Sequence, residues 1–418
     1  MENAPHVLIF EPDPHGHTRE WLAHLRRFAE QERPDWRIAF VVAPELAAEL
    51  APSPHIEIVP LGARENRFCL HSALAVSGFA RWWVMRRHLK RSGAGHGVFL
   101  SLDHLSLPFA LGFRTGGKPI TGILFRPSTH YPELDSSDIP SARERIRDFR
   151  KRILYALMLR NGAVDKVLSL DPYFPAHARR IFARGDKVQA IGDPAFPLAT
   201  PHGITQDAPN ARTTFLLFGA LAERKGILTL LSALREIAPD TAEKISVIIA
   251  GRIEPEIKIP FQEATDALRH AHPALHLELD NRHLPMDELS TLIRRCDVVL
   301  APYKRFVGSS GVLLWAAATG KPVITQNYGL LGKLCREHAL GLCIDTCNPA
   351  ALAAAIETAA HEPSQYFDAV RATAFAASRT PHRFAATLFD AISDTPASDV
   401  TESAAAFQSQ TGHVSPLR

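Results

Sequence analysis

No stretch of the chain offers the roughly 18 or more uninterrupted apolar residues that a membrane-spanning helix needs. The opening Met1-Glu2-Asn3-Ala4-Pro5-His6 lacks the basic region and long apolar run of a secretory signal. Cysteine is scarce: five residues, an odd count with no paired spacing, exclude a disulfide framework and favour a reduced, cytoplasmic setting. Excess charge is lacking too. A balance of 47 Lys and Arg against 44 acidic residues leaves +3, without the concentrated basic face of a nucleic-acid binder. At 46% hydrophobic and 22% charged, the 418 residues suffice for two globular domains with separate cores.

What is present is alternation. Short apolar runs at 7–10, 38–42, 55–59, 97–102, 120–125, 166–170 and 188–191 read as buried strands, mostly separated by helical patterns. A second series follows at 214–218, 246–250, 275–279, 297–301, 322–325 and 342–344. Such alternation predicts two α/β domains with parallel sheets covered on both faces. The expected division is a first domain over 1–197, a linker over 198–212 and a second domain over 213–375. Residues 376–393 then form a C-terminal helix expected to pack back on the first domain, and the Ser-, Thr- and Ala-rich 394–418 a disordered tail. Helical pattern spans 350–393, with a break expected at Pro381.

Ligands of parallel α/β sheets bind beyond the carboxyl ends of the strands, so the expected site is the cleft between the domains. Three turns bear on it. The first, after strand 7–10, contains Gly16, where a ligand can approach the backbone, and Thr18, which can cap the next helix; an ordinary turn fits equally well. The second, Gly219 to Ile227, carries Arg224 and Lys225, suited to a diphosphate and to charge that develops as it leaves. The third is Val307-Gly308-Ser309-Ser310-Gly311, opening a helix whose exposed amides and positive dipole end suit phosphate without a metal.

Taken in order, Phe218-Gly219, Lys225-Gly226, the run from Val247 to Gly251, the run from Asp297 to Pro302, the Gly-Ser-Ser-Gly helix and Thr319-Gly320-Lys321-Pro322 resemble the family 4 glycosyltransferases over nearly the whole chain. The resemblance implies the GT-B fold, two Rossmann-like domains facing each other across a cleft. It also implies sugar transfer from a nucleotide donor to an acceptor hydroxyl, usually retaining, with no metal or other cofactor. By position it assigns Gly16 and Lys225 to the donor diphosphate; Arg224 stands in for the family's arginine, whose place is Ala220 here, and Ser309, Ser310 and Gly311 join them at the helix start, with Gly219, Gly251, Val307 and Trp315 as the donor pocket. His104, Arg126 and His130 become the catalytic candidates. Where that family carries two glutamates eight positions apart, this chain has Val307 and Trp315, and no Asp or Glu occurs between Val298 and Arg336. Those replacements keep a second reading open, a non-catalytic protein of the same fold that binds a glycan or a partner enzyme.

Two further features have alternatives. Cys335, His338, Cys343 and Cys347 lie close in sequence but match no standard zinc spacing, which favours buried free thiols over a metal site. The basic stretches from Arg81 to Arg91 and from Arg143 to Arg160 include an apolar stripe, Ile146, Phe149, Ile153 and Leu157. That stripe either faces the core, with its charges in water, or touches the inner face of an anionic membrane bearing a lipid-linked acceptor. The expected partners are thus a nucleotide sugar, a glycan or lipid-linked acceptor and a peripheral membrane surface, but not nucleic acid.

Overall fold

A computed structural model describes residues 5–15, 18–135, 140–195 and 212–393. Gly16, nearly all of the expected linker and the expected tail lie outside the described residues. The chain folds into two parallel sheets. The first contains β1 (His6–Glu11), β2 (Arg37–Val42), β3 (Ile56–Pro60), β4 (His96–Phe99), β5 (Ile120–Leu124), β6 (Val164–Ser169) and β7 (Val188–Ala190), in the order β3-β2-β1-β4-β5-β6-β7. The second contains β8 (Thr213–Phe218), β9 (Ile245–Ala250), β10 (His276–Asp280), β11 (Val298–Ala301), β12 (Val323–Gln326) and β13 (Gly341–Ile344), in the order β10-β9-β8-β11-β12-β13.

The strand residues explain this arrangement. Val7, Leu8, Ile9 and Phe10 are all buried, as are Val247, Ile248, Ile249 and Ala250, because helices cover both faces of each sheet. Edge strand β10 reads His-Leu-Glu-Leu-Asp and is only partly covered. Each sheet reverses its winding once, between β1 and β4 in the first and between β8 and β11 in the second. Loops leaving those neighbouring strands diverge and open a crevice there.

The segment 350–393 forms three helices, Pro349–His361, Ala369–Ala377 and Pro381–Ser393. Pro381 does interrupt the pattern, but by starting a helix, at the first position where its missing N–H costs nothing. Helix Pro381–Ser393 joins the core of the first sheet: Phe384 packs on Trp21 at 4.5 Å and Phe389 stacks on Phe28 at 5.4 Å between ring centres.

Candidate functional site

The winding reversal of the second sheet brings together the turn after β8 and the loop after β11. Gly219 sits at φ +98°, and Gly251, after β9, at φ +143°. A Cβ on Gly251 would lie 1.9 Å from the Gly219 carbonyl oxygen, so only glycine lets these two strand ends abut. The turn then forms one short helical loop, Glu223–Lys225, closed by Gly226. Lys225 points back across the crevice: its Nζ donates to the Tyr303 hydroxyl at 3.0 Å and lies 4.7 Å from the centre of that ring. Tyr303 in turn shares a 2.8 Å hydrogen bond with Ser310 Oγ. Lys225, Tyr303 and Ser310 therefore form one connected row. Arg224 is exposed beside it, and its carbonyl accepts from the Lys304 N–H at 3.0 Å.

Ser310 occupies the N-cap of helix Gly311–Ala318, yet its side chain makes no capping bond because it is turned to Tyr303. The helix N-terminus is thus left without a side-chain cap, beside half-buried Ser309 and Gly311. Val307 is half-buried against the second-domain core. Trp315 is 8% exposed and stacks on Phe218 at 5.8 Å, so this candidate lining of the donor pocket is chiefly a core side chain.

In the first sheet the reversal gathers Glu11, Asp103 and His104. Asp103 accepts from the N–H groups of Phe125 and Arg126 at 2.7 and 3.1 Å, tying the β4 and β5 loops together. His104 is half-buried, its Nδ1 enclosed without a hydrogen-bond partner. Burial, reinforced by the charge of Arg81, lowers its pKa and keeps the ring neutral. Glu11 is buried at the end of β1, and burial pushes its carboxyl up to about 7 against the opposing charge of Arg81. Arg126 is exposed and reaches the second domain, its Cγ 3.5 Å from the position a Cβ on Gly308 would take.

His130 is placed differently. It is 1% exposed, with Nε2 3.0 Å from Asp171 Oδ2, and its ring packs against Phe174 and His177. Its segment is pinned on several sides, by Ser128 to Asp148 at 2.6 Å and by Thr129 to His177 at 3.2 Å. The result is a rigid mount for Tyr131, which enters the second domain. The Tyr131 hydroxyl accepts from the Gly308 N–H at 3.0 Å, and its ring fills the space where a Cβ on Gly329 would stand. Arg305 adds a second tie across the domains. It holds φ +48°, lies 4.0 Å from the centre of the Tyr328 ring, and grips Glu144 with Nε to Oε1 at 2.7 Å.

Among the cysteines, Cys335 donates to the Gly341 carbonyl at 3.6 Å and Cys343 to that of Gly332 at 3.8 Å, whereas Cys347 is exposed. Among the described residues no group of three His, Cys, Asp or Glu side chains is arranged to hold a metal.

Residues 205–374, which include the second sheet, match the family model described as glycosyl transferases group 1. Over those residues the chain is similar to the group 1 glycosyl transferases. Solved structures of the GT-B fold superpose on more than nine-tenths of the chain. Sucrose-phosphate synthase from Thermosynechococcus elongatus superposes with a TM-score of 0.66 at 15% identity, over 94% of this chain and 98% of that one. HepE from Anabaena, in complex with UDP, gives a TM-score of 0.65 at 15% identity, over 93% and 100%. WaaG, a glycosyltransferase of lipopolysaccharide biosynthesis, gives 0.62 at 14%, again over 93% and 100%. No curated protein sequence matches the chain.

Tyr303 and Glu11 carry no motif that marks them in the sequence. Their signal is position: each stands at or just past the carboxyl end of a strand at a winding reversal, the place where ligands of such sheets bind.

Proposed function

We propose that this glycosyltransferase moves a sugar from a nucleoside-diphosphate donor to an acceptor hydroxyl, with retention, in glycan or glycolipid assembly. The row Lys225–Tyr303–Ser310 is the observation that carries this reading. It aims an ammonium group with two further donors at the same crevice as an uncapped helix N-terminus. A diphosphate is the ligand whose charge and acceptor count suit that pair. The complex of HepE with UDP makes UDP the first nucleotide to test.

In the proposed reaction the acceptor oxygen bonds to the anomeric carbon as the bond from that carbon to the diphosphate breaks. The departing diphosphate takes the electron pair, and the acceptor proton passes to its oxygen. Arg224, Lys225, Ser309 and the amides near Gly311 stabilise the developing charge. His104, neutral and with an unpartnered nitrogen, positions the acceptor hydroxyl, and Arg126 faces the donor from across the cleft. His130 acts through Tyr131, by holding the segment that joins the domains around the excluded cleft. No divalent cation is required, since amides and basic side chains supply the positive field.

Thermal-shift titration with nucleoside diphosphates, followed by transfer assays with the matching nucleotide sugars in EDTA, tests the reading. Stabilisation and metal-independent release of the diphosphate are expected. Failure of every nucleotide to stabilise the protein at millimolar concentration would instead favour the non-catalytic glycan- or partner-binding reading.

A further inference from the structure

Helix Ala142–Arg160 turns the wrong face to water. Its inner face is already committed: Tyr155, Met158 and Leu159 lie in the first-domain core. Ile146, Phe149, Ile153 and Leu157 remain on the outside at 62%, 65%, 46% and 42% exposure. Their spacing of three or four residues aligns them along the helix, and side chains of this size are seldom left together in solvent. Just beyond the helix end, Asn161 holds the Phe109 and Phe113 carbonyls at 2.9 and 2.8 Å, which fixes exposed Leu111 and Phe113 nearby.

The charge around this stripe has one sign. Arg143, Arg150 and Arg160 are exposed and fall in the same helical row as Ile146, Ile153 and Leu157, while Arg145 flanks Phe149. None of these four arginines has a carboxylate partner among the described residues. The helix has two carboxylates of its own, and both are turned away and occupied: Glu144 binds Arg305, and Asp148 binds Arg147 and Ser128. The outer face is therefore apolar and cationic over about 25 Å of helix at 1.5 Å per residue.

We propose that this face of helix Ala142–Arg160 docks in the interface of an anionic lipid bilayer, with the apolar stripe among the acyl chains and the arginines at the headgroups. Charge complementarity selects this occupant. A second copy of the chain would set arginine against arginine, and an acidic protein partner would not need four large apolar side chains. The helix also reaches the cleft, because Glu144 holds Arg305 and Lys151 donates to the Arg126 carbonyl. Docking along it sets the cleft beside the membrane surface, where a lipid-linked acceptor would be presented. Docking itself does not depend on the transfer reading and is measured without nucleotide sugar.

The test is co-sedimentation of the full chain with vesicles of phosphatidylcholine alone or of equimolar phosphatidylcholine and phosphatidylglycerol. Wild type should pellet with the anionic vesicles, less so as salt rises, and remain soluble with the neutral ones. Phe149→Ser with Ile153→Ser, and separately Arg143→Ser with Arg150→Ser and Arg160→Ser, should each cut binding about tenfold or more at an unchanged melting temperature. If the serine pair perturbs folding, the single Phe149→Gln at the most exposed position makes the same test. Wild type that ignores anionic vesicles would overturn the proposal, as would variants that bind like wild type. A dimer dissolved by the serine pair, with no vesicle binding, would reassign the stripe to contact between copies.

Discussion

Lys225 and Tyr303, 78 residues apart in sequence, meet at 3.0 Å because β8 and β11 are neighbours at the winding reversal of the second sheet. The phenol orients the ammonium group by a hydrogen bond and also offers it a ring face at 4.7 Å. Lys225→Ala should weaken nucleoside-diphosphate binding by about 1.5–3 kcal/mol, the range for a hydrogen bond to a charged group. Tyr303→Phe keeps the ring but loses both hydrogen bonds, and should cost about 1 kcal/mol. Calorimetric titration of the two variants measures the difference, and a larger loss in the phenylalanine variant would contradict this ordering.

Trp315 stacks on Phe218 inside the second-domain core. Trp315→Ala should therefore destabilise the protein by about 3–5 kcal/mol, as for other buried large aromatics. Trp315→Glu should be at least as harmful, since it buries a charge without a built partner. Denaturant unfolding checks both. Near-native stability of the glutamate variant, together with tighter sugar-nucleotide binding, would show that the position opens on the donor pocket.

Glu144 connects acid sensitivity to the junction of the domains. Burial opposes its ionised form, but hydrogen bonds from Arg305 and Ser141 outweigh that and hold the carboxyl down to about 2. A lowered carboxylate pKa stabilises the folded state above the unfolded value of 4.5, and the contribution disappears as pH falls towards 2. The melting-temperature gap between wild type and Glu144→Gln should hold steady from pH 7 down to about 5 and narrow below that. A gap that widens on acidification would refute this assignment.

Glu11 has the opposite sign. With its carboxyl pushed up to about 7 by burial, its ionisation costs stability as pH rises from 4.5 through 7. Glu11→Gln should therefore gain in melting temperature relative to wild type between pH 5 and about 8. Scanning calorimetry at the two pH values decides it, and an unchanged difference would mean that the carboxylate is solvated.

The fold was legible because its strands are buried on both faces. Runs such as Val7 to Phe10 and Val247 to Ala250 are continuous apolar blocks separated by helical periodicity, a pattern with few alternatives. The basic turn was legible for a local reason, since Gly219 and Lys225 belong to one strand-to-helix connection. Tyr303 was not, because its contact with Lys225 is made by strand order, which periodicity does not encode. His130 stands close after β5, as a cleft residue would, but its ring turns inward to Asp171, 41 positions away. The stripe Ile146, Phe149, Ile153 and Leu157 was visible as a stripe, though not its direction. Only the competing inward set of Tyr155, Met158 and Leu159 settles that it faces out.

The central claim is that the crevice of the second domain holds a nucleoside diphosphate on Lys225 and the neighbouring helix amides. Isothermal titration of wild type with UDP in EDTA tests it most directly, run beside Lys225→Ala at matched melting temperature. Saturable, metal-independent binding by wild type and at least about tenfold weaker binding by the variant are predicted. No heat with any nucleoside diphosphate, or equal affinity in the two proteins, would contradict it.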